Sequence, residues 1–383
     1  MGLLDELRAL APRMQHWRRD LHRHPELSFA ETRTSAFVAS ELREFGLHVE
    51  TGIGGTGVVA IVEGRAAGPS IALRADMDAL PMNDESGRDW QSGVPGVAHA
   101  CGHDGHTASL LGAAQYLAAN PPATGRVVLI FQPAEENGLG ARAMLDDGLM
   151  QRFPFDEVYA FHNMPLFAPG QMAVKPGPAM NGYMVFEIEI EGVGGHGAAF
   201  FQAIDPLQAA ARLAVEISSI VGRYLPPSDS GLITLGALQA GSSHNIIPAT
   251  ARLSGTLRAV QPETMDLLYE RLEIACAGVA TLSGCTIQCR KTADVPPCIN
   301  DATAASHAAA AAEAVLGADQ VARDHTPLPF TDDFALFQQQ APGAYFFLGQ
   351  DSAMCHHPSY DFDDALLPKA AAIFVSLVRQ RLG

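Results

Sequence analysis

The tightest constraint on this chain is one eight-residue stretch, His99-Ala100-Cys101-Gly102-His103-Asp104-Gly105-His106. Thiolate, imidazole and carboxylate are the donors that a transition metal such as zinc prefers. Cys101 and His103 stand two apart, so on an extended or looped backbone both side chains face one point. Gly102 and Gly105 let the backbone turn tightly and approach closely. The competing reading is a polar loop with buried structural histidines. So many ligand-competent residues in so short a span argue against it.

A chain of 383 residues is too long for one ordinary core, so two domains are expected. Hydrophobic residues make up 48% and charged residues 17%, a composition that can bury a large core. The formal net charge of -17 argues against nucleic acid or an anionic membrane as partner and suits a soluble enzyme. No apolar run is long enough to span a bilayer, and the opening Met1-Gly2-Leu3-Leu4-Asp5-Glu6 lacks a signal-peptide pattern. The six cysteines, at 101, 276, 285, 289, 298 and 355, are sparse and without scaffold spacing, which points to a reducing cytoplasm.

Helical spacing of Leu3, Leu4, Leu7, Leu10, Met14, Trp17 and Leu21 predicts an amphipathic helix over 3–24, ended by Pro25, with a second helix over 31–45. Strands are expected at 57–62 and 70–73, the latter just before Asp76 and Asp78. An Ala/Leu-rich helix is expected over 107–119, a doubly buried strand at 126–131, a helix over 140–147 and a strand at 157–161. Late in the chain come an Ala-rich helix over 303–316, a strand at 344–348 and a last helix over 365–382. Four of these strands lead within a few residues to metal-competent or acid/base groups: Asp76, Glu135/Glu136, His162 and His356. In open α/β sheets the site lies outside the carboxyl ends of the strands. The fold class is therefore α/β, a mixed and largely parallel sheet flanked by helices.

The middle of the chain reads differently. Strand 183–191, helix 206–224, strands 231–240 and 250–260, helix 262–282 and strand 286–291 give the βαββαβ order of a ferredoxin-like sandwich. In the first strand Val185, Phe186, Ile188 and Ile190 stand against Glu187, Glu189 and Glu191, which suits a half-exposed antiparallel sheet. This domain, 182–293, is expected as an insertion between the two parts, 1–181 and 294–383, of a discontinuous metal-binding domain.

Adjacent Glu135 and Glu136 can divide two tasks, one carboxylate binding metal and the other holding the attacking water and shuttling its proton. An acidic helix N-terminus is the alternative. Cys101, His103, Glu136, His162 and His356 are too many ligands for one catalytic zinc, which takes three from the protein plus water. Two metals sharing a ligand solve the count, and a thiolate can bridge.

Taken together, these motifs resemble the di-metal amidohydrolases of the aminoacylase, hippurate hydrolase and auxin-conjugate hydrolase group. The resemblance covers nearly the whole chain. It is carried by His22-Arg23-His24-Pro25-Glu26, Arg74–Pro81, His99–His106, Gln132–Glu136, His162-Asn163 and Gly194-Gly195-His196. Asn245-Ile246-Ile247-Pro248, Gly255-Thr256-Leu257-Arg258 and His356-His357-Pro358 complete it. It implies that Cys101, His103, Glu136, His162 and His356 bind two divalent metal ions, with Glu135 as general base and acid. The ligand in the last motif is His356, two before the proline, with His357 as the fallback. The resemblance further implies that His196 stabilises the oxyanion with Asn245 nearby, that Arg258 meets the substrate carboxylate, and that Asp76 and His106 orient ligands. The inserted domain is then a lid and dimerisation domain, giving a homodimer or a higher homo-oligomer. His99 and Asp104 receive no task.

The implied activity is hydrolysis of N-acyl amino acids to a carboxylic acid and a free amino acid in the cytoplasm. The runner-up is a di- or tripeptide hydrolase with the same centre. Two readings from other classes are a metal-free hydrolase with Cys101 as nucleophile and His103 as base, and a binding protein with structural metals. The donors allow zinc, manganese, nickel or cobalt. Three positions depart from the family pattern: Phe200-Phe201 stands where Pro-His is common, Asn137 replaces a Gly, and Thr331-Asp332-Asp333-Phe334 replaces a Glu-Asp pair. The phenylalanines bear on the acyl pocket, which they would narrow or line.

Overall fold

Apolar runs with no polar face form strands buried on both sides, and such runs make the middle of one sheet. The computed structural model describes residues 2–383. Strands Arg126–Gln132, Ser70–Asp76, Glu157–Met164 and Gly343–Gly349 lie side by side in that order, all parallel. Every residue of Ser70–Asp76 and of Gly343–Gly349 is buried. Gly57–Glu63 and then His48–Ile53 extend the sheet antiparallel beyond Arg126–Gln132. Met172–Ala173 and Val321–Ala322 close the other side. Helices Leu3–Arg23, His103–Ala119, Ala302–Leu316 and Leu367–Leu382 share a hydrophobic core with the sheet.

The chain divides into two compact units. The first holds this sheet and comprises the chain up to Ala179, Ile299–Thr326 and Asp332–Gly383; the second is Met180–Cys298 with Pro327–Thr331. In the second unit, Gly231–Ala240, Thr250–Ala259, Gly182–Glu191 and Thr286–Val295 form an all-antiparallel sheet in that order. Two helices, Pro206–Tyr224 and Pro262–Ser283, bury their apolar stripes on it. This is the ferredoxin-like order read from the sequence. Asp205 caps the first helix by accepting from Leu207 N (2.9 Å), with Pro206 in its first turn. In Gly182–Glu191 the buried side chains are Met184, Phe186, Ile188 and Ile190, so Val185 lies on the glutamate face rather than in the core.

Element boundaries shift where polar residues find buried partners. The strand expected to end at Leu73 runs to Asp76, because Arg74 and Asp76 are both buried and paired at 2.6 Å. The strand expected to end at Phe161 runs to Met164 and carries His162 within it. The helix expected from Thr107 starts at His103, entered through Gly102 at φ 99°. The edge strand His48–Ile53 has no apolar alternation and was not expected from the sequence. No helix among the described residues is long and apolar enough to cross a membrane.

The His103–Ala119 helix approaches its neighbours so closely that glycine is required. A Cβ on Gly105 would lie 2.4 Å from the ring of buried Phe362. A rigid ring cannot yield as a flexible side chain does. Gly105→Ala is therefore expected to destabilise the fold by about 1–3 kcal/mol, despite its gain in helix propensity. Urea unfolding followed by circular dichroism measures this.

Candidate metal centre

Parallel strands end together, so residues at their carboxyl ends converge. Ser70–Asp76 delivers Asp76 and, two residues on, Asp78. Arg126–Gln132 leads into the turn carrying Glu135 and Glu136. Glu157–Met164 carries His162 and Asn163, and the loop after Gly343–Gly349 carries His356. The chain bends sharply at two of these places: Ala134 has φ 52° and His356 φ 66°, conformations rare outside glycine. Each is held by a backbone bond, Ala134 N to Glu31 Oε1 at 2.8 Å and His356 N to Ala100 O at 2.7 Å.

The five expected ligands meet in the first unit. Cys101, Glu136 and His356 present donor atoms within 4.8 Å of one another, as do His103, Glu135 and Glu136. Cys101 Sγ is also 3.3 Å from His162 Nε2, and His356 Nε2 is 3.2 Å from Glu136 Oε2. His103 Nε2 is 3.8 Å from both Glu135 Oε2 and Glu136 Oε1. The ring tautomers suit ligation. His103 Nδ1 faces Asp78 O at 3.0 Å and Oδ1 at 3.2 Å, and His162 Nδ1 faces Asn163 O at 2.6 Å. With Nδ1 donating in each ring, the Nε2 lone pair is left to face the site.

Two atoms test whether this cradle fits a cation. His103 Nε2 and Glu136 Oε1 are buried and have no hydrogen-bond partner. Such groups are costly unless something else engages them. A lone pair and a carboxylate oxygen aimed at one point, beside a thiol, fit a divalent metal.

The charges around the site are severe. Burial, with Asp332 and Glu136 nearby, pushes the Glu135 carboxyl well above its ordinary range. Burial opposes the charge on His103, yet Asp76, Asp78 and Glu136 together raise it well above the usual imidazole value. Burial and the neighbouring His106 hold His162 well below it. A bound cation would relieve the crowding of carboxylates.

A supporting frame surrounds the ligands. The Asp78 carboxylate accepts from Glu135 N and Glu136 N, each at 3.1 Å, and from Ser28 Oγ at 2.7 Å. His106 has both ring nitrogens engaged, Nδ1 with Asp76 Oδ1 (2.6 Å) and Nε2 with Asn163 Oδ1 (2.8 Å), so it orients rather than ligates. Arg74, fully buried, pairs with Asp76 (2.6 Å), Asp332 (3.1 Å) and Asp333 (3.3 Å). Asp104 is held by Arg18 and by His22 Nδ1, at 3.0 and 2.7 Å, tying the first helix to the motif. Buried His99 has no hydrogen-bond partner on either ring nitrogen, and burial lowers it to about 4. Asp78, Asn163, Arg74 and Cys355 receive no task from the sequence. Asp78 stands two beyond a strand-end carboxylate and Cys355 adjoins His356, the signals that would have found them.

The remaining expected residues lie in the second unit. Exposed His196 pairs across a two-residue ladder with Ile246, and Gly197 N donates to Asn245 O at 2.9 Å, so His196 and Asn245 are neighbours. His196 Nδ1 accepts from Ala198 N at 3.1 Å. Arg258 lies near the other end of the strand that begins at Thr250, stacked 4.4 Å over the Tyr183 ring and 3.2 Å from Thr331 Oγ1.

Residues 72–380 match the description of peptidase family M20/M25/M40. The chain belongs to this family. Hippurate hydrolase of Campylobacter jejuni is 38% identical over 383 residues, covering 100% of both chains. N-acetyl-L-cysteine deacetylase of Bacillus subtilis is 36% identical, covering 92% of this chain and 84% of its own. Among solved structures, the YXEP protein of Bacillus subtilis, described as a dinuclear metal-binding peptidase from the M20 family, is 33% identical. It superposes with a TM-score of 0.84, covering 98% of this chain and 99% of its own.

Asp78 is the contact on which ligand geometry rests. Asp78→Ala is expected to weaken metal binding by about 10–100-fold. Competition against a chromophoric chelator, with the fold checked by circular dichroism, measures this.

Proposed function

We propose that this protein is a metal-dependent amidohydrolase that cleaves N-acyl amino acids into a carboxylic acid and a free amino acid. The observation that carries the reading is Glu135. Its carboxyl is largely shielded beside Glu136, 3.8 Å from His103, and is held well above its usual range. A carboxylate general base needs such a shielded setting beside the reacting water. The hippurate hydrolase and N-acetyl-L-cysteine deacetylase relatives act on acylated amino acids by name, and this supports the same substrate class.

Cys101, His103, Glu136, His162 and His356 would hold two divalent cations. Bound there, the metals supply Lewis acidity toward the amide carbonyl and acidify water at neutral pH. Glu135 takes a proton from the attacking water and later delivers it to the amine nitrogen as the C–N bond breaks. His196 stabilises the oxyanion with Asn245 beside it, and Arg258 pairs with the substrate carboxylate. Zinc, manganese, nickel and cobalt all suit the donors.

The lid unit supports a homodimer. Thr250 pairs with Glu191 and Arg258 with Tyr183, at opposite ends of the same two strands. Eight residues of strand separate them by about 26 Å. His196 and Asn245 flank the Thr250 end, so one lid does not offer His196 and Arg258 to a single small substrate. In this reading His196 serves the neighbouring subunit. All six cysteines are free, which supports a cytoplasmic setting. Di- and tripeptides are the second reading, favoured by the peptidase description of the YXEP structure.

Glu135→Gln is expected to abolish turnover of N-benzoyl and N-acetyl amino acids while metal content stays at the wild-type level. Unchanged turnover would sink the mechanism. The same panel with dipeptides ranks the two substrate readings by kcat/KM. A second expectation concerns the subunits. Inactive Glu135→Gln and His196→Ala chains, mixed and reassociated, regain activity because each heterodimer contains one site with both residues intact. No recovery in proven heterodimers would place His196 within its own subunit.

A further inference from the structure

We propose that Cys355 is a sixth metal ligand, its thiolate completing a sulfur-rich pocket with Cys101 and His162. The proposal rests on the dinuclear reading above. Donor atoms of Cys101, His162 and Cys355 all lie within 4.8 Å of one another. The Cys101, Glu136 and His356 donors form a second group of the same tightness, and the two groups share Cys101. The site therefore reads as two pockets of different chemistry. One offers sulfur, nitrogen and oxygen, with His103 Nε2 3.8 Å from Glu136 Oε1; the other offers nitrogen and two sulfurs.

The position of Cys355 is fixed by its surroundings. The next residue donates its backbone N–H to Ala100 O at 2.7 Å, and the Cys355 thiol points to Cys101 O at 3.9 Å. Further along the same loop, Tyr360 OH accepts from Asn163 Nδ2 at 2.6 Å, beside His162. His162 Nδ1 is occupied by Asn163 O, so Nε2 is the nitrogen this pocket receives. Buried His103 Nε2 and Glu136 Oε1, both without partners, are independent signs that the adjoining space is built for a cation.

Two thiolates are soft donors and the imidazole is intermediate, a set that favours zinc or cobalt over manganese. Binding releases the Cys355 proton to solvent and forms one S–metal bond. The two metal positions should thus differ in selectivity, with manganese confined to the Glu136 and His356 side.

The test uses the full-length protein under reductant, stripped with chelator and reloaded with cobalt(II). With Cys101 bridging, three S–Co bonds contribute to the near-ultraviolet charge-transfer band, and Cys355→Ala should remove about one third of it. If Cys101 binds only one ion the loss is about one half, which equally supports the ligand. Affinity for one of the two cobalt ions should fall by more than about tenfold. Cys355→Ser, which conserves size, should show the same spectral loss and so separates ligation from packing. An unchanged band with unchanged affinity for both ions would overturn the proposal, as would a wild-type protein that binds no cobalt. Because the spectrum is read without substrate, failure on acyl amino acids leaves this result standing, and an unchanged spectrum leaves the hydrolase reading standing.

Discussion

The carboxylate of Asp78 is the constraint on which the centre depends. Its two oxygens receive the backbone N–H groups of Glu135 and Glu136, so they set the turn that presents both side chains. The same residue faces His103 Nδ1 through its carbonyl and its carboxylate. One buried side chain thus fixes Glu135, Glu136 and His103, the proposed base and two of the proposed ligands, relative to each other. Hydrogen bonds to a charged acceptor are roughly twice as strong as neutral ones, and burial sharpens them. Asp78 itself is held below its ordinary carboxyl range, against burial, by His103, Ser28 and the Glu136 N–H.

Behind this lies a second layer of charge. Arg74 pairs with Asp76, Asp332 and Asp333, and Gln132 holds both Arg74 and Asp333, at 2.8 and 2.6 Å. Asp76 then orients His106, which orients Asn163, which reaches Tyr360. The Thr331-Asp332-Asp333-Phe334 stretch departs from the family pattern, yet its two aspartates both meet Arg74. An isolated buried ion would be prohibitive; a network with each member satisfied is tolerable and rigid. The rigidity serves the ligands.

Much of this was legible in the sequence because it rests on local pattern. Arg126–Phe131 reads as a buried strand, and the alternation from Phe186 to Glu191 as a half-exposed one. Of the candidate ligands, Glu136, His162 and His356 could be gathered because they lie at or beyond strand ends, and Cys101 and His103 because of their close spacing. Boundaries were less legible where tertiary partners override propensity. The polar His103-Asp104-Gly105-His106 segment reads as loop, but it is helical because Asp78, Asp76, Arg18 and His22 meet its side chains inside the fold. The partners of Arg74 and Asp78 are not legible, because a charge near a strand does not announce a partner as distant as Asp332 is from Arg74, 258 positions away. Cys355 was silent for the same reason.

The order of the chain has a consequence for how the protein matures. Cys101 and Cys355 are 254 positions apart, and the second unit is synthesised between them. Loop closure of that length costs little more at equilibrium than a short one, since each doubling adds only about 0.6 kcal/mol. In time it matters more, because distant contacts form late. On the ribosome the early half-site of Cys101, His103, Glu136 and His162 exists before the strand Gly343–Gly349 is made. Until that last strand docks, a thiol and two imidazoles wait without their closing loop. On the proposed ligand set, the cradle is complete only once the C-terminal segment has returned to a sheet begun far earlier.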